Sequence, residues 1–177
     1  QDKLCFPVSG YYSQIGFHYD TDPYSRLAEE FIAEYETRRF ECSLQNGARD
    51  LIQQLYKQGI PQSVLSAYQQ DTLLQAVDYF ELTSFFAEII GLNDIYAEGK
   101  VDNGKAYIRS LSVDPRTVLF IRDTLHDYEV AEAMGVECAL VTCGHNSRQR
   151  LEACHVPDFE SLDQVGTFIL QHNHARS

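Results

Sequence analysis

The stretch VLFIRDTLHDYEVAEAMG, residues 118–135, sets Asp123 and Asp127 four positions apart, with Thr124 between them, directly after an apolar run. Carboxylates at that spacing on a strand-to-helix turn can converge on one hard cation, and oxygen ligands suit Mg²⁺. The same residues also have a purely structural use. Asp127 can cap the following helix while Asp123 shapes the turn. Spacing alone leaves both readings open. Ser66 ends a second apolar run, where its hydroxyl can hold a phosphoryl oxygen or simply serve a turn or cap. Lys100 and Lys105 can each neutralise an anion, although a lysine is ordinarily a solvated surface charge.

The elements that must position these groups alternate. Leu27, Phe31, Ile32 and Tyr35 repeat at helical spacing within 24–40, as do Ala48, Leu51, Ile52, Leu55 and Tyr56, with Gly59 as a stop signal. SVLSAY (63–68) reads as a short strand, with Ser66 closing its 63–66 stretch. A helix follows over 71–81, with Leu73, Leu74, Val77 and Phe80 on one side. FFAEIIG (85–91) reads as a strand and 102–111 as a helix. TVLFI (117–121) has the β-branched, apolar character of a strand covered on both faces. Val130, Ala131 and Met134 mark a helix closed by Gly135, ECALVT (137–142) is a strand, and two helices end the chain. This alternation predicts an α/β fold with a parallel sheet and helices on both faces. In such sheets functional groups collect beyond the carboxyl ends of the strands. Three places are singled out: Ser66, Asp123, and the Gly144–His145 pair after residues 137–142.

Composition narrows the classes. The 177 residues suit one domain with room for a small accessory piece, and 44% hydrophobic content is enough for a core. With 26 acidic against 14 basic residues, the net charge of -12 disfavours nucleic acid as a partner. Small anions are not excluded, because local amides or a metal ion can reverse the field at one site. No apolar run is long enough to span a bilayer, so no membrane partner is expected, and no stretch reads as a signal peptide. Five cysteines (Cys5, Cys42, Cys138, Cys143, Cys154) show no CxxC spacing, which points to reduced, mostly buried thiols in a cytoplasmic protein. The histidines form no HxxxH pair, and His172 and His174 read as part of a frayed end.

Taken in order, the groups resemble a known family. A strand ending in Ser66, a Gly-Lys about thirty residues later, and a strand ending in DTxxD resemble the haloacid dehalogenase superfamily of phosphohydrolases, in its phosphoglycolate-phosphatase-like branch. GARDLIQQLYKQGIPQSVLSAYQ looks like the second motif, AEGKVDNGK like the third and VLFIRDTLHDYEVAEAMGVECALVTCGHNS like the fourth. The similarity runs from about residue 45 to the end. Residues 1–44 look like the later part of a helical cap, and 45–177 like a Rossmann-like core. The resemblance implies Mg²⁺ as cofactor and a small phosphorylated substrate. Ser66, Ala67 and Lys100 would contact the phosphoryl group. Lys100 would also neutralise the attacking aspartate, Asp123 would bind Mg²⁺, and Asp127 would bind it or orient its waters. In the family an aspartate attacks phosphorus, and a second aspartate two residues later serves as acid and base. Association with a second copy stays open.

Two departures stand out. The DxDx[TV] motif that carries both aspartates, at the end of a central first strand, is not found. The lone DxD, Asp20-Thr21-Asp22, precedes Pro23 and suits a turn, and Ile15, Phe17 and Tyr19 alternate as in a half-exposed segment. The chain is therefore expected to lack the nucleophile and to be inactive by itself. The alternative is a catalytically silent binding or regulatory module, while a phospho-receiver-like domain is disfavoured for want of an early acidic pair. The second departure is Arg122, where the family usually has Gly.

Overall fold

The computed structural model describes residues 8–20, 23–93 and 99–174. In chain order its elements are α1 (Val8–Gln14), α2 (Tyr24–Arg38), α3 (Ala48–Lys57), β1 (Ser63–Gln69), α4 (Gln70–Tyr79), β2 (Glu88–Leu92), α5 (Lys100–Ser110), β3 (Leu119–Arg122), α6 (Leu125–Met134), β4 (Glu137–Val141), α7 (Arg148–Leu151), β5 (Asp158–Phe159) and α8 (Leu162–His174). The fold is the expected mixture of parallel strands flanked by helices.

Strand β4 shows why. Its side chains alternate in direction, so an apolar residue at every position feeds two faces at once. Cys138 and Leu140 pack with Ala131 of α6, Leu151 of α7 and Cys154. Val141 packs on the other face with Leu51 and Leu55 of α3 and Val165 of α8. Leu140 and Val165 are wholly buried, each contributing about 1.5–3 kcal/mol by the area it hides.

The parallel strands form two groups. β1 pairs with β2, Ser63 opposite Glu88 through Leu65 opposite Ile90, and the register then shifts before Gln69 meets Leu92. β3, β4 and β5 form the other group in that order, all parallel. Among the described residues β1 and β3 do not pair, yet they share a floor. Leu65 of β1 and Phe120 of β3 both pack on Ile108 of α5 and on Val130 and Met134 of α6. Above that floor the Arg122 Nη1 donates to the Leu65 carbonyl at 3.3 Å. Each strand thus keeps one unpaired ladder edge on the side of its neighbour.

Several boundaries differ from the sequence reading. β1 continues past Ser66 to Gln69, with its irregularity starting where the strand was expected to stop. The strand over 85–91 begins only at Glu88, because Thr83–Phe85 make a 3₁₀ turn. α5 starts at Lys100 rather than 102, since Gly99 caps it at φ 92°, a left-handed backbone that glycine adopts without strain. α2 ends at Arg38, and α8 runs on through His174 instead of fraying. Asp20 sits in a turn, and Thr21 and Asp22 lie outside the described residues.

Of the four cysteines in the described residues, Cys138 and Cys154 are buried, while Cys42 and Cys143 are exposed and correct the expectation of mostly buried thiols. Burial, reinforced by Cys154 beside it, pushes the Cys138 thiol up to about 12. Thiolate is the reactive form. Under native conditions iodoacetamide is expected to label Cys42 and Cys143 and to reach Cys138 only after unfolding, as read by peptide mass spectrometry. Equal labelling of Cys138 and Cys143 would contradict this packing.

Candidate active site

The chain turns sharply after β3, and three consecutive residues take different jobs there. Thr124 is the N-cap of α6: its Oγ1 accepts from the Asp127 N–H at 3.1 Å and donates to Asp127 Oδ2 at 2.7 Å. Cap and third helical residue satisfy one another, as in a capping box. Thr124, rather than Asp127, is therefore the cap. The Asp127 Oδ1 accepts from Lys100 Nζ at 2.5 Å and from Arg122 Nη2 at 3.0 Å. Lys100 and Asp127 keep only 7% and 6% of their side chains exposed, which rules out treating the pair as a screened surface bridge. Both cations also flank the Phe120 ring, at 5.7 and 5.2 Å.

Burial on its own would raise the Asp127 carboxyl. The charges of Arg122 and Lys100, with the Lys100 and Thr124 hydrogen bonds, outweigh that and hold it at about 2. Burial and the repulsion of Arg122 lower Lys100, and Asp127 draws it partly back. A carboxyl depressed in the folded state stabilises above its unfolded value, near 4, and loses that stabilisation as pH falls towards 2. The amount is about 2 kcal/mol. Urea midpoints measured from pH 5 to pH 2 are expected to fall more steeply for the native protein than for Asp127→Asn. Parallel curves would remove this account.

Asp123 faces a different set of groups. Its Oδ2 accepts from the His145 backbone N–H at 2.9 Å and meets His145 Nδ1 at 2.7 Å. The loop can come this close because residue 144 is glycine; a Cβ there would fall on the Asp123 carboxylate. Buried Asn146 then ties the turn together, its Oδ1 accepting from the Leu125 N–H at 3.0 Å and its N–H donating to the Asp123 carbonyl at 3.3 Å.

The structure thus brings Lys100, Arg122 and Asp127 into contact, with Asp123 beside them. Ser66 and Ala67 follow Leu65, whose carbonyl Arg122 reaches. The Ser66 Oγ accepts from the Tyr68 N–H at 3.1 Å, so it also shapes the irregular end of β1. Thr124 as cap, Asn146 as tie and the Arg122 pairing were missed from sequence. Asn146 carried a usable signal, a short polar side chain just past a strand end.

A hard cation finds one half-open carboxylate here, Asp123. Both oxygens of Asp127 are taken by protein donors, and among the described residues no three His, Cys, Asp or Glu side chains converge. That fits an ion such as Mg²⁺, which keeps several waters and takes one or two carboxylates together with phosphate oxygens. It does not fit an all-protein cage.

The parallel α/β core thus carries a buried lysine–aspartate pair and a second aspartate at the turn after β3. A family profile described as haloacid dehalogenase-like hydrolase matches residues 6–141, and the chain belongs to that family. It is 28% identical over 142 residues to a phosphoglycolate phosphatase of Pseudomonas putida, covering 77% of this chain and 51% of that protein. It is 23% identical over 152 residues to the pyrophosphatase PpaX of Bacillus cereus, covering 85% and 63%. The chain therefore spans about half to two thirds of these curated relatives. A haloacid dehalogenase-like hydrolase from Streptococcus pneumoniae shares the fold with a TM-score of 0.78 over 92% of this chain and 76% of its own, at 18% identity.

Proposed function

We infer that this chain carries most of a Mg²⁺-dependent phosphomonoesterase acting on a small phosphorylated substrate. The observation that carries the reading is the buried Lys100–Asp127 pair beside Asp123, at the same end of the molecule as Ser66. The relatives named as phosphoglycolate phosphatase and pyrophosphatase support a phosphorylated substrate. In this reading Ser66 and the Ala67 region hold phosphoryl oxygens, and Lys100 balances charge on the transferring group. Asp123 is the principal metal ligand, and Asp127 keeps Lys100 aimed while helping to orient metal-bound water. Bound Mg²⁺ would offset repulsion between the phosphate and an attacking carboxylate.

The nucleophile is the missing part. In this reading one more parallel strand pairs with the β1 and β3 edges, taking over the Leu65 carbonyl that Arg122 now holds, and a carboxylate at its end faces Asp123 and Lys100. We assign the nucleophile to such a strand, with residues 1–44 as the end of a cap and 45–177 as the rest of the core. No helix among the described residues is long and apolar enough to cross a membrane, and the four cysteines of the described residues, all unbridged, support a cytoplasmic setting. The test is turnover of p-nitrophenyl phosphate. Residues 1–177 should be inactive, and a longer form supplying that strand should be active with Mg²⁺. A longer form that folds but never turns over would favour the silent binding module. Robust turnover by residues 1–177, abolished by Asp20→Asn, would instead make Asp20 the nucleophile.

A further inference from the structure

The Arg122 guanidinium is more elaborately placed than a tolerated variant needs to be. It bridges the two strand groups, Nη1 on the Leu65 carbonyl at 3.3 Å and Nη2 on Asp127 Oδ1 at 3.0 Å. Its face lies 5.2 Å from the Phe120 ring centroid. Its Nε–H is buried with no hydrogen-bond partner, although 28% of the side chain as a whole remains exposed. That donor is closed to solvent, so an incoming anion meets the exposed part of the guanidinium instead. Charge favours an anion there. Two cations, Lys100 and Arg122, share one oxygen of one carboxylate, while Asp123 is engaged by His145. A phosphate approaching a chain of net charge -12 meets general repulsion, so its binding depends on local cations of this kind.

We propose that Arg122 is a phosphate-binding residue of this site, presenting its guanidinium edge to a phosphoryl oxygen so that the chain holds an oxyanion without a divalent cation. The proposal rests on the phosphatase reading for its choice of ligand but not for its geometry. A planar fork already fixed at two corners is pre-organised for a tetrahedral oxyanion.

The test uses residues 1–177 and inorganic phosphate in EDTA, read by calorimetry and by the rise in melting temperature. The native chain is expected to bind phosphate with an affinity that falls as NaCl rises. Arg122→Gln removes the charge and keeps a polar side chain; it should bind phosphate at least about tenfold more weakly, with a shallower salt dependence. Arg122→Lys should fall between the two. No binding by the native chain in EDTA, or equal binding by native and Arg122→Gln proteins with both folded, overturns the proposal. Failure of the phosphatase reading is distinguishable. Binding through Arg122 in a longer form that never turns over phosphate esters leaves the anion site standing and removes the hydrolase. Turnover with phosphate affinity and KM unmoved by Arg122→Gln does the reverse.

Discussion

Asp127→Ala is expected to destabilise the protein by about 3–5 kcal/mol, the cost of stripping one partner from a buried ion pair. Such a loss is a large part of the whole stability of a domain this size. The substitution leaves Lys100, 7% exposed, with its charge in an apolar pocket beside Phe120. It also removes the acceptor for Arg122 Nη2 and the second half of the Thr124 cap. Lys100→Met should cost less, about 1–2 kcal/mol, because Arg122 still neutralises Asp127. The double variant Lys100→Met/Asp127→Leu should recover much of the single Asp127 loss, since no buried charge is then abandoned. Urea unfolding of the four proteins measures this. A double variant that is simply the sum of the singles would mean that the pair is not coupled as its geometry says.

Asp123→Ala should have the largest effect on chemistry. In the longer form proposed above it is expected to lower kcat by about 10³-fold, because it removes the half-open carboxylate assigned to the metal. Asp127→Ala, measured at a temperature where it remains folded, should lower kcat by about 10–100-fold, the range for a group that orients rather than binds. High Mg²⁺ should partly rescue Asp127→Ala and leave Asp123→Ala unchanged. Turnover and Mg²⁺ dependence unaltered by Asp123→Ala would reduce the turn after β3 to a helix start with no metal role.

The sequence was most legible where apolar period and chemistry agree. TVLFI yields a strand only from Leu119, half-buried throughout, whereas the run Cys138–Val141 of ECALVT is buried at every position. The acidic pair at the first strand's end could be placed because a parallel sheet sends its loops to one edge. What stayed hidden is what long side chains do after folding. Arg122 and Lys100 are far apart along the chain, and nothing local to either says that they share one oxygen of Asp127. Spacing offers Asp123 and Asp127 either as metal ligands or as turn residue and cap, whereas the fold uses Thr124 as the cap and Asp127 at the third helical position, where it also meets two cations. The end of β1 was misjudged for a similar reason. Ser66 breaks the register, but Gln69 re-enters it opposite Leu92, a return set by pairing with β2 rather than by the residues themselves.

One element near the site is held quite differently from the rest. None of the fifteen residues of α2 is buried, and Phe31 and Tyr35 stack in the open. The helix is moored by polar contacts at its carboxyl end. Glu36 accepts from the Tyr68 hydroxyl, and Arg39 reaches Glu36 at 2.6 Å, Tyr68 at 3.3 Å and Gln75 at 2.6 Å. Moorings of that kind loosen in concentrated salt while an apolar interior holds. Salt should therefore raise amide hydrogen exchange in α2 well before it does so in β4. Tyr68 lends its backbone N–H to Ser66. The looseness of α2 thus reaches Ser66 through Tyr68, and amide exchange at the end of β1 should rise together with that of α2.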